Sequence, residues 1–131
     1  MNYAMAKNCI RNNNKEMFRV LYEQSKDNIA WKVAIYIVKG KYLKQGSHKL
    51  NLEDQISFLD IVCTKLNASD KSFIVREVID NAIEVEDFEI FKHFVQKEKV
   101  VVSEFSLQQI TKKNLQQWFD ICFKPKVNTK E

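Results

Sequence analysis

Two stretches of the chain, 73 positions apart, carry the same pattern. Residues 8–26 and 81–99 align without a gap and are identical at five of nineteen positions. The identities are Asn8/Asn81, Ile10/Ile83, Glu16/Glu89, Phe18/Phe91 and Lys26/Lys99. In both copies a polar break separates two segments with apolar residues at helical spacing, so the pattern predicts a pair of helices that the chain uses twice. Such a repeat constrains architecture strongly and purpose weakly.

The scarcity of chain breakers also favours helices. Only two glycines and one proline occur in 131 residues, of which 45% are apolar. An all-β chain of this length would need many tight turns, whose positive-φ positions glycine normally supplies. The length suits one domain with a real hydrophobic core.

Apolar residues at helical spacing predict four helices in the first half of the chain. They cover residues 3–11, 15–24, 28–44 and 52–66, with Asp27 and Asn51 as the N-caps of the third and fourth. Asp and Asn suit these positions because their side chains accept hydrogen bonds from first-turn amides. Residues 33–38 are apolar on nearly every side, so the third helix is expected at the centre of the domain. Their β-branched side chains leave a strand as an alternative.

The second half predicts four more helices. The fifth is capped by Ser69 and covers residues 70–85, and the Glu86-Asp87 break opens the sixth. Residues 97–106 are expected to form a loop or a short extended segment before a last pair over 107–113 and 114–123. The resulting fold class is all-α, a single domain of about seven to eight short antiparallel helices stacked as hairpins over residues 1–124. Pro125 opens a polar tail, residues 125–131.

The helical pair resembles the helix hairpin of ankyrin repeats. The resemblance rests on residues 4–21 and 78–95, and a third match over 110–121 pairs Asn114 with Asn14 and Trp118 with Phe18. It implies a protein-binding scaffold without enzymatic activity, formed from divergent repeats.

The formal net charge of +4 conceals a segregation of charge along the chain. Residues 1–50 carry a net +7, residues 51–104 a net −6 and residues 105–131 a net +3. Segments of opposite sign produce either an internally complementary fold or two faces for different partners. The sequence leaves both interpretations open.

Two charged clusters are the candidate partner-binding residues. The basic cluster interleaves lysines with an aromatic residue, and the acidic cluster lies near the start of the sixth helix. Their members are Lys32, Lys39, Lys41, Tyr42, Lys44 and Lys49, and Glu84, Glu86 and Asp87. A protein of complementary charge is the expected partner. The alternative partner is a nucleic acid, since lysines neutralise phosphates and aromatic rings stack on unpaired bases.

No combination of residues predicts chemistry. Cys9, Cys63 and Cys122 lie far apart, as do His48 and His93, whereas metal ligands usually come in close pairs. We therefore expect free buried thiols, no catalytic residue, no metal and no cofactor. The sequence shows neither a signal peptide nor a membrane-spanning segment, which predicts a soluble cytoplasmic protein without membrane contact.

Together these features predict a non-enzymatic protein–protein interaction module, an adaptor or an inhibitor. The alternative is a nucleic-acid-binding regulator that uses the basic segment 32–49. A helical stack also exposes apolar residues at its ends, so Met5 or Trp118 could be covered by a second copy in a homodimer.

Overall fold

Four consecutive helix hairpins build the domain in the computed structural model, which describes residues 1–26 and 28–123. The eight α-helices are α1 Tyr3–Arg11, α2 Lys15–Glu23, α3 Ala30–Lys39, α4 Leu52–Cys63, α5 Ala68–Val85, α6 Phe88–Lys92, α7 Glu104–Lys112 and α8 Gln116–Phe123. A 3₁₀ turn, Gly40–Tyr42, extends α3, and a π-helical turn, His93–Lys97, extends α6. The all-α prediction and its helix count are confirmed.

The helices form two layers. The first helix of each hairpin packs on the first helix of the next, so α1, α3, α5 and α7 follow one another in one layer. In the second layer α2 packs on α4, and α6 packs on α8. No helix in the described part of the chain is long and apolar enough to cross a membrane.

Helix α3 lies at the centre, as its sequence predicts. Val33, Ala34, Ile37 and Val38 are fully buried, and the segment is helical, so the strand alternative for residues 33–38 is wrong. The predicted end of this helix was also wrong, because α3 stops at Lys39 instead of continuing to residue 44. The chain tightens there into the 3₁₀ turn and then becomes extended at residue 43.

The structure confirms one of the predicted N-caps and corrects another. Asn51 accepts a hydrogen bond from the Asp54 amide at 2.8 Å, as predicted. The cap of α5 is Asn67 and not Ser69, since the Asn67 side chain accepts from the Asp70 amide at 2.8 Å. Asn is an excellent N-cap and the alanine that follows it is a strong helix former, which places Ser69 inside the helix. Asp27 lies outside the described residues.

The last hairpin begins earlier than its apolar pattern predicts. Helix α7 starts at Glu104, where the Ser103 hydroxyl accepts a hydrogen bond from the Ser106 amide at 3.1 Å. The loop before α7 is therefore shorter than the predicted range of residues 97–106. The polar tail, including Pro125, lies outside the described residues.

Three of the four hairpins share one turn geometry. Asn13, Glu86 and Asn114 each adopt the left-handed conformation, with φ of 53°, 58° and 59°. The next amide donates to the carbonyl five residues earlier: Asn14 to Cys9 at 2.8 Å, Asp87 to Ala82 at 2.8 Å and Leu115 to Ile110 at 3.0 Å. This is the Schellman ending of a helix. The first two turns lie 73 residues apart, in the register of the sequence repeat, whereas the third aligns Asn114 with Asn13 and corrects the predicted match by one residue.

Aromatic rings fill the core between hairpins. Phe18 of α2 meets Phe58 of α4 edge to face at 5.3 Å between ring centroids. Trp118 of α8 lies 4.7 Å from the Phe91 ring and is 5% exposed. Trp118 therefore needs no second copy to cover it, contrary to expectation, whereas Met5 is 40% exposed.

Candidate protein-docking surface

Lysine–carboxylate ion pairs connect the turns of consecutive hairpins. We call this set the turn ladder; each pair joins one hairpin to the next. Its members are Lys15–Asp54 at 2.6 Å, Lys39–Glu84 at 2.7 Å, Lys41–Asp87 at 3.1 Å and Lys113–Glu86 at 3.2 Å. Three of these pairs join the basic first segment of the chain to the acidic middle segment, and the fourth joins the middle segment to Lys113 of the basic last segment.

The Lys41–Asp87 pair is the buried member of the ladder. Asp87 is 3% exposed, and its Oδ2 atom accepts no hydrogen bond from the described residues, so the Lys41 ammonium is what compensates its charge. The same ammonium lies 3.2 Å from Oε1 of Gln55, whose Nε2 donates to the Ile37 carbonyl at 2.9 Å. Burial, and then the charge and hydrogen bond of Asp87, raise the pKa of Tyr42. The Asp87 carboxylate therefore holds the turn after α3.

His48 fixes the loop between α3 and α4. The imidazole is 2% exposed, and its Nε2 lies 3.0 Å from the Tyr36 carbonyl and 3.1 Å from the Ile37 carbonyl. The Leu50 amide donates to Nδ1 at 3.3 Å, which assigns the proton of the neutral ring to Nε2. Burial is the largest effect on this ring and lowers the pKa of His48. His48 therefore holds the loop through buried hydrogen bonds and is not available as a surface contact for a partner.

The structure separates the predicted partner-binding residues into two groups. Five of the nine belong to the turn ladder: Lys39, Lys41, Glu84, Glu86 and Asp87. A sixth, Tyr42, is 47% exposed and interacts with Asp87. Lys32, Lys44 and Lys49 are exposed and form no ion pair with a described residue. Much of the charge segregation is therefore internal complementarity between hairpins, the first of the two interpretations.

A second surface, which the sequence did not single out, carries three exposed aromatic side chains. Trp31 of α3 is 47% exposed, Phe73 of α5 46% and Phe105 of α7 59%. They come from three successive helices of the same layer. Glu77 lies among them: the Trp31 indole donates to its Oε1 at 3.3 Å, and Phe73 precedes it by one helical turn.

Phe105 and Glu77 line opposite sides of an open groove between α5 and α7. The groove has a volume of about 250 Å³, and its lining residues also include Asp80, Glu84 and Lys113. Phe73, Glu77, Asp80 and Glu84 follow one another at intervals of four, three and four residues, which places them on one stripe of α5. We call the three aromatic residues and these three acids the acidic-aromatic face.

The carboxylates of this face are held in place. The Ser106 hydroxyl donates to Asp80, and Lys39 pairs with Glu84 from the neighbouring helix. Lys113 closes one end of the groove, where its Nζ donates to the Glu84 carbonyl at 3.1 Å. Three carboxylates thus line the groove, in which Lys113 is the lining ammonium and Lys39 pairs with Glu84 from α3. Phe73 is the feature of the sequence that could have indicated this face, because it is an aromatic residue on a stripe of α5 that is otherwise acidic.

The thiols offer no activated nucleophile. Burial raises the pKa of Cys9 and Cys63, and raises that of Cys122 to about 11. Cys63 borders a small cavity of about 20 Å³ between α4 and α5, together with Asp60, whose pKa burial also raises. Within residues 1–26 and 28–123 no group of three His, Cys, Asp or Glu side chains is placed to hold a metal ion.

Comparison of the chain with protein-family models, with curated proteins and with solved structures gives no match. The resemblance to ankyrin repeats stays a prediction.

Proposed function

We propose that this protein is a non-enzymatic protein–protein interaction module, an adaptor or an inhibitor, that binds its partner through the acidic-aromatic face. One observation carries the proposal: three large aromatic side chains stand half exposed around Glu77, one from each of three successive helices. A single exposed aromatic residue is ordinary, whereas a group of them on one face is typical of an interface.

Aromatic residues on a rigid scaffold make efficient contacts. They bury a large area with little loss of side-chain entropy, and tryptophan is among the residues most enriched at interface hot spots. Trp31 is already held by its hydrogen bond to Glu77, so a partner would find it close to its bound orientation. Such preorganisation reduces the entropic cost of binding.

The charge of the face defines the chemistry of the partner. Glu77 and Asp80, which form no ion pair with a described residue, favour a segment that carries lysine or arginine. The rings of Phe73 and Phe105 favour apolar side chains beside those cations. The stripe from residue 73 to residue 84 is about 16 Å long. A basic amphipathic helix of about three turns would match that length.

The proposal can be tested by selecting peptides of about twelve residues, the length of three helical turns, from a displayed library. Selected sequences should combine basic and apolar residues, and titration with them should change Trp31 fluorescence. Phe73→Glu and Glu77→Lys should each weaken binding at least tenfold, which is about 1.4 kcal/mol. Leu43→Glu, which alters an apolar residue of similar exposure elsewhere, should not.

Selection of no basic sequence, or binding that survives Phe73→Glu and Glu77→Lys, would remove this proposal. The thermal unfolding midpoint of each variant should equal that of the unaltered chain. Any loss of binding is then not caused by a loss of folding. Increased ionic strength should weaken the interaction, because part of it is electrostatic.

The nucleic-acid alternative draws less support from the same structure. Two of its lysines, Lys39 and Lys41, lie against carboxylates, which compete with phosphates for their charge. Lys32, Lys44 and Lys49 remain for phosphate contact, and a site of three lysines predicts a shallow salt dependence. The alternative stays a prediction that a filter-binding titration with single-stranded oligonucleotides would check.

A further inference from the structure

A second open groove, which we call the basic groove, lies between α5 and the segment that joins the π-helical turn to α7. Its volume is about 600 Å³. The charged residues that line it are Lys71, Arg76, Lys99 and Glu98. Valines of both elements also line it, and none of its lining residues belongs to the acidic-aromatic face. Three cations and one carboxylate thus share a partly apolar groove.

The positive charge of the basic groove is not neutralised from within. Arg76 and Lys99 are exposed, and neither forms an ion pair with a described residue. Lys71 is also exposed and acts on Asp60, where its charge opposes the rise in pKa that burial causes. The carboxylate of Glu98 lies 3.3 Å from Nε2 of His93 and not against a lysine or arginine of the groove. The groove therefore favours a negatively charged ligand.

The connecting segment forms one wall of the groove and offers unpaired backbone groups. Lys99 adopts the left-handed conformation, with φ of 55°, and the next amide, that of Val100, donates to the Phe94 carbonyl at 3.0 Å. Beyond this turn the amides and carbonyls of Val101 and Val102 form no hydrogen bond with a described residue. The Val101 side chain is 86% exposed. Such a segment can pair with the backbone of an added chain.

The chemistry of the groove distinguishes between possible ligands. Its described lining carries no aromatic side chain on which an unpaired base could stack, so a nucleic acid fits less well than a protein segment. The tail of this chain, residues 125–131, carries two lysines and one glutamate and does not complement a basic groove. A protein segment rich in Asp and Glu matches both the charge and the free backbone.

We propose that the basic groove is a second docking surface, which binds an extended acidic segment of a partner protein. Carboxylates of that segment pair with Arg76 and Lys99, and its backbone pairs with Val101 and Val102. The protein then carries two binding surfaces of opposite charge on the two sides of one scaffold, which allows it to bridge a basic and an acidic partner.

Peptide selection on the full chain tests the proposal. A displayed library of random peptides of about eight residues, which span about 26 Å when extended, should yield sequences rich in Asp and Glu as a class separate from the basic ones. Lys99→Asn and Arg76→Gln should each weaken binding of a selected acidic peptide about threefold or more, as measured by fluorescence anisotropy. Asparagine tolerates the left-handed conformation, so Lys99→Asn should keep its thermal unfolding midpoint.

Lys92→Gln is the matched control. It removes one exposed lysine of α6 that does not line the groove, and it should leave the affinity unchanged. Selection of no acidic sequence, or an equal loss of affinity in Lys92→Gln and Lys99→Asn, would overturn the proposal.

Methylation of peptide amides tests the backbone pairing. In a paired strand every second amide points toward the neighbouring chain. N-methylation of one alternate set of amides in the acidic peptide should therefore weaken binding about tenfold, whereas methylation of the other set should have little effect. Equal effects of the two sets would exclude pairing with Val101 and Val102.

Two variants keep this surface distinct from the acidic-aromatic face. Trp31→Ala should leave the affinity for acidic peptides unchanged, and Lys99→Asn should leave the affinity for basic peptides unchanged, so either surface can fail without the other. A dimer of the unaltered chain, or a complex with a single-stranded oligonucleotide, that Lys99→Asn dissociates would identify a different ligand of the groove and overturn the proposal.

Discussion

Gly40 lies against the ring of His48 so closely that a β-carbon at position 40 would stand 2.3 Å from His48 Cδ2 and 2.5 Å from Nε2. The backbone of Gly40 is ordinary, with φ of −59° and ψ of −34°, so space and not conformation requires glycine there. The ring cannot retreat cheaply, because its nitrogens are bound to the backbone at residues 36, 37 and 50.

Gly40→Ala should therefore destabilise the protein by about 1–3 kcal/mol, the usual cost of forcing extra atoms into a packed interior. Helix propensity alone would predict the opposite sign, since alanine is favoured over glycine in a helical backbone. Urea unfolding of the two proteins measures the difference.

A second background identifies the cause. In a His48→Ala protein the obstructing ring is gone, so adding Gly40→Ala should be neutral or slightly stabilising. An equal loss of stability in both backgrounds would show that the contact with His48 is not what excludes alanine.

The buried state of His48 predicts an acid sensitivity. Burial lowers the pKa of His48 in the folded protein, whereas the unfolded chain titrates near the ordinary value of about 6.5. The unfolded state then binds the proton more readily, so this contribution to stability is present above about pH 6.5 and is lost as the pH falls from there through the lower pKa of the folded state. The unfolding free energy should decrease between about pH 7.5 and about pH 5.

His48→Gln separates this contribution from that of the carboxylates. Glutamine keeps a donor near the position of Nε2 but does not titrate, so its unfolding free energy should depend less on pH over the same range. A slope unchanged by His48→Gln would contradict the assignment.

Local chemistry made the helices predictable. Amphipathic spacing and the Asn51–Asp54 cap operate within one or two turns of chain, so a single sequence contains all of their information. The wrong predictions also concern local features. Asn67 and Ser69 are both suitable N-caps for α5, and the end of α3 depends on the 3₁₀ turn at residues 40–42.

The surfaces were less predictable because they depend on contacts between hairpins. The lysine and acidic clusters were recognised from sequence, but their pairing joins residues 46 apart in the case of Lys41 and Asp87. Trp31 reaches Glu77 only after α3 and α5 pack together. The segregation of charge along the chain indicates that segments of opposite sign exist. It does not indicate whether they bind each other or a partner.

The turn ladder predicts a graded response to loss of charge. Lys41→Met leaves the Asp87 carboxylate, which is 3% exposed, without its ammonium partner. It should lower the unfolding free energy by about 3–5 kcal/mol. Lys39→Met breaks a shorter contact of 2.7 Å, yet the Glu84 side chain is 64% exposed and water replaces the lost ammonium, so less than about 1 kcal/mol is expected. Chemical denaturation of both variants gives the comparison.

Removing both charges of the Lys41–Asp87 pair tests whether the unpaired carboxylate causes this loss of stability. Lys41→Met/Asp87→Leu leaves no unpaired carboxylate and should recover much of the stability that Lys41→Met loses. Equal losses in Lys41→Met and Lys39→Met would mean that burial does not decide the strength of these pairs.

Glu86 offers a route to a more stable protein. It ends α5 in the left-handed conformation, with φ of 58° and ψ of 45°, which costs an L-residue about 1–2 kcal/mol and glycine almost nothing. Its ion pair with Lys113 is 53% exposed on the glutamate side and is worth about 1 kcal/mol at most. Glu86→Gly should therefore raise the unfolding free energy by about 1 kcal/mol, since relief of strain exceeds the lost pair.

Two related variants distinguish backbone strain from charge. Glu86→Ala removes the ion pair but keeps a β-carbon in the left-handed turn, so it should be neutral or slightly destabilising. Asn114→Gly relieves a turn with φ of 59° that asparagine already tolerates, and its gain should be smaller than that of Glu86→Gly. If Glu86→Gly and Glu86→Ala proved equally stable, the left-handed turn would not be the source of the effect, because only glycine removes its steric cost.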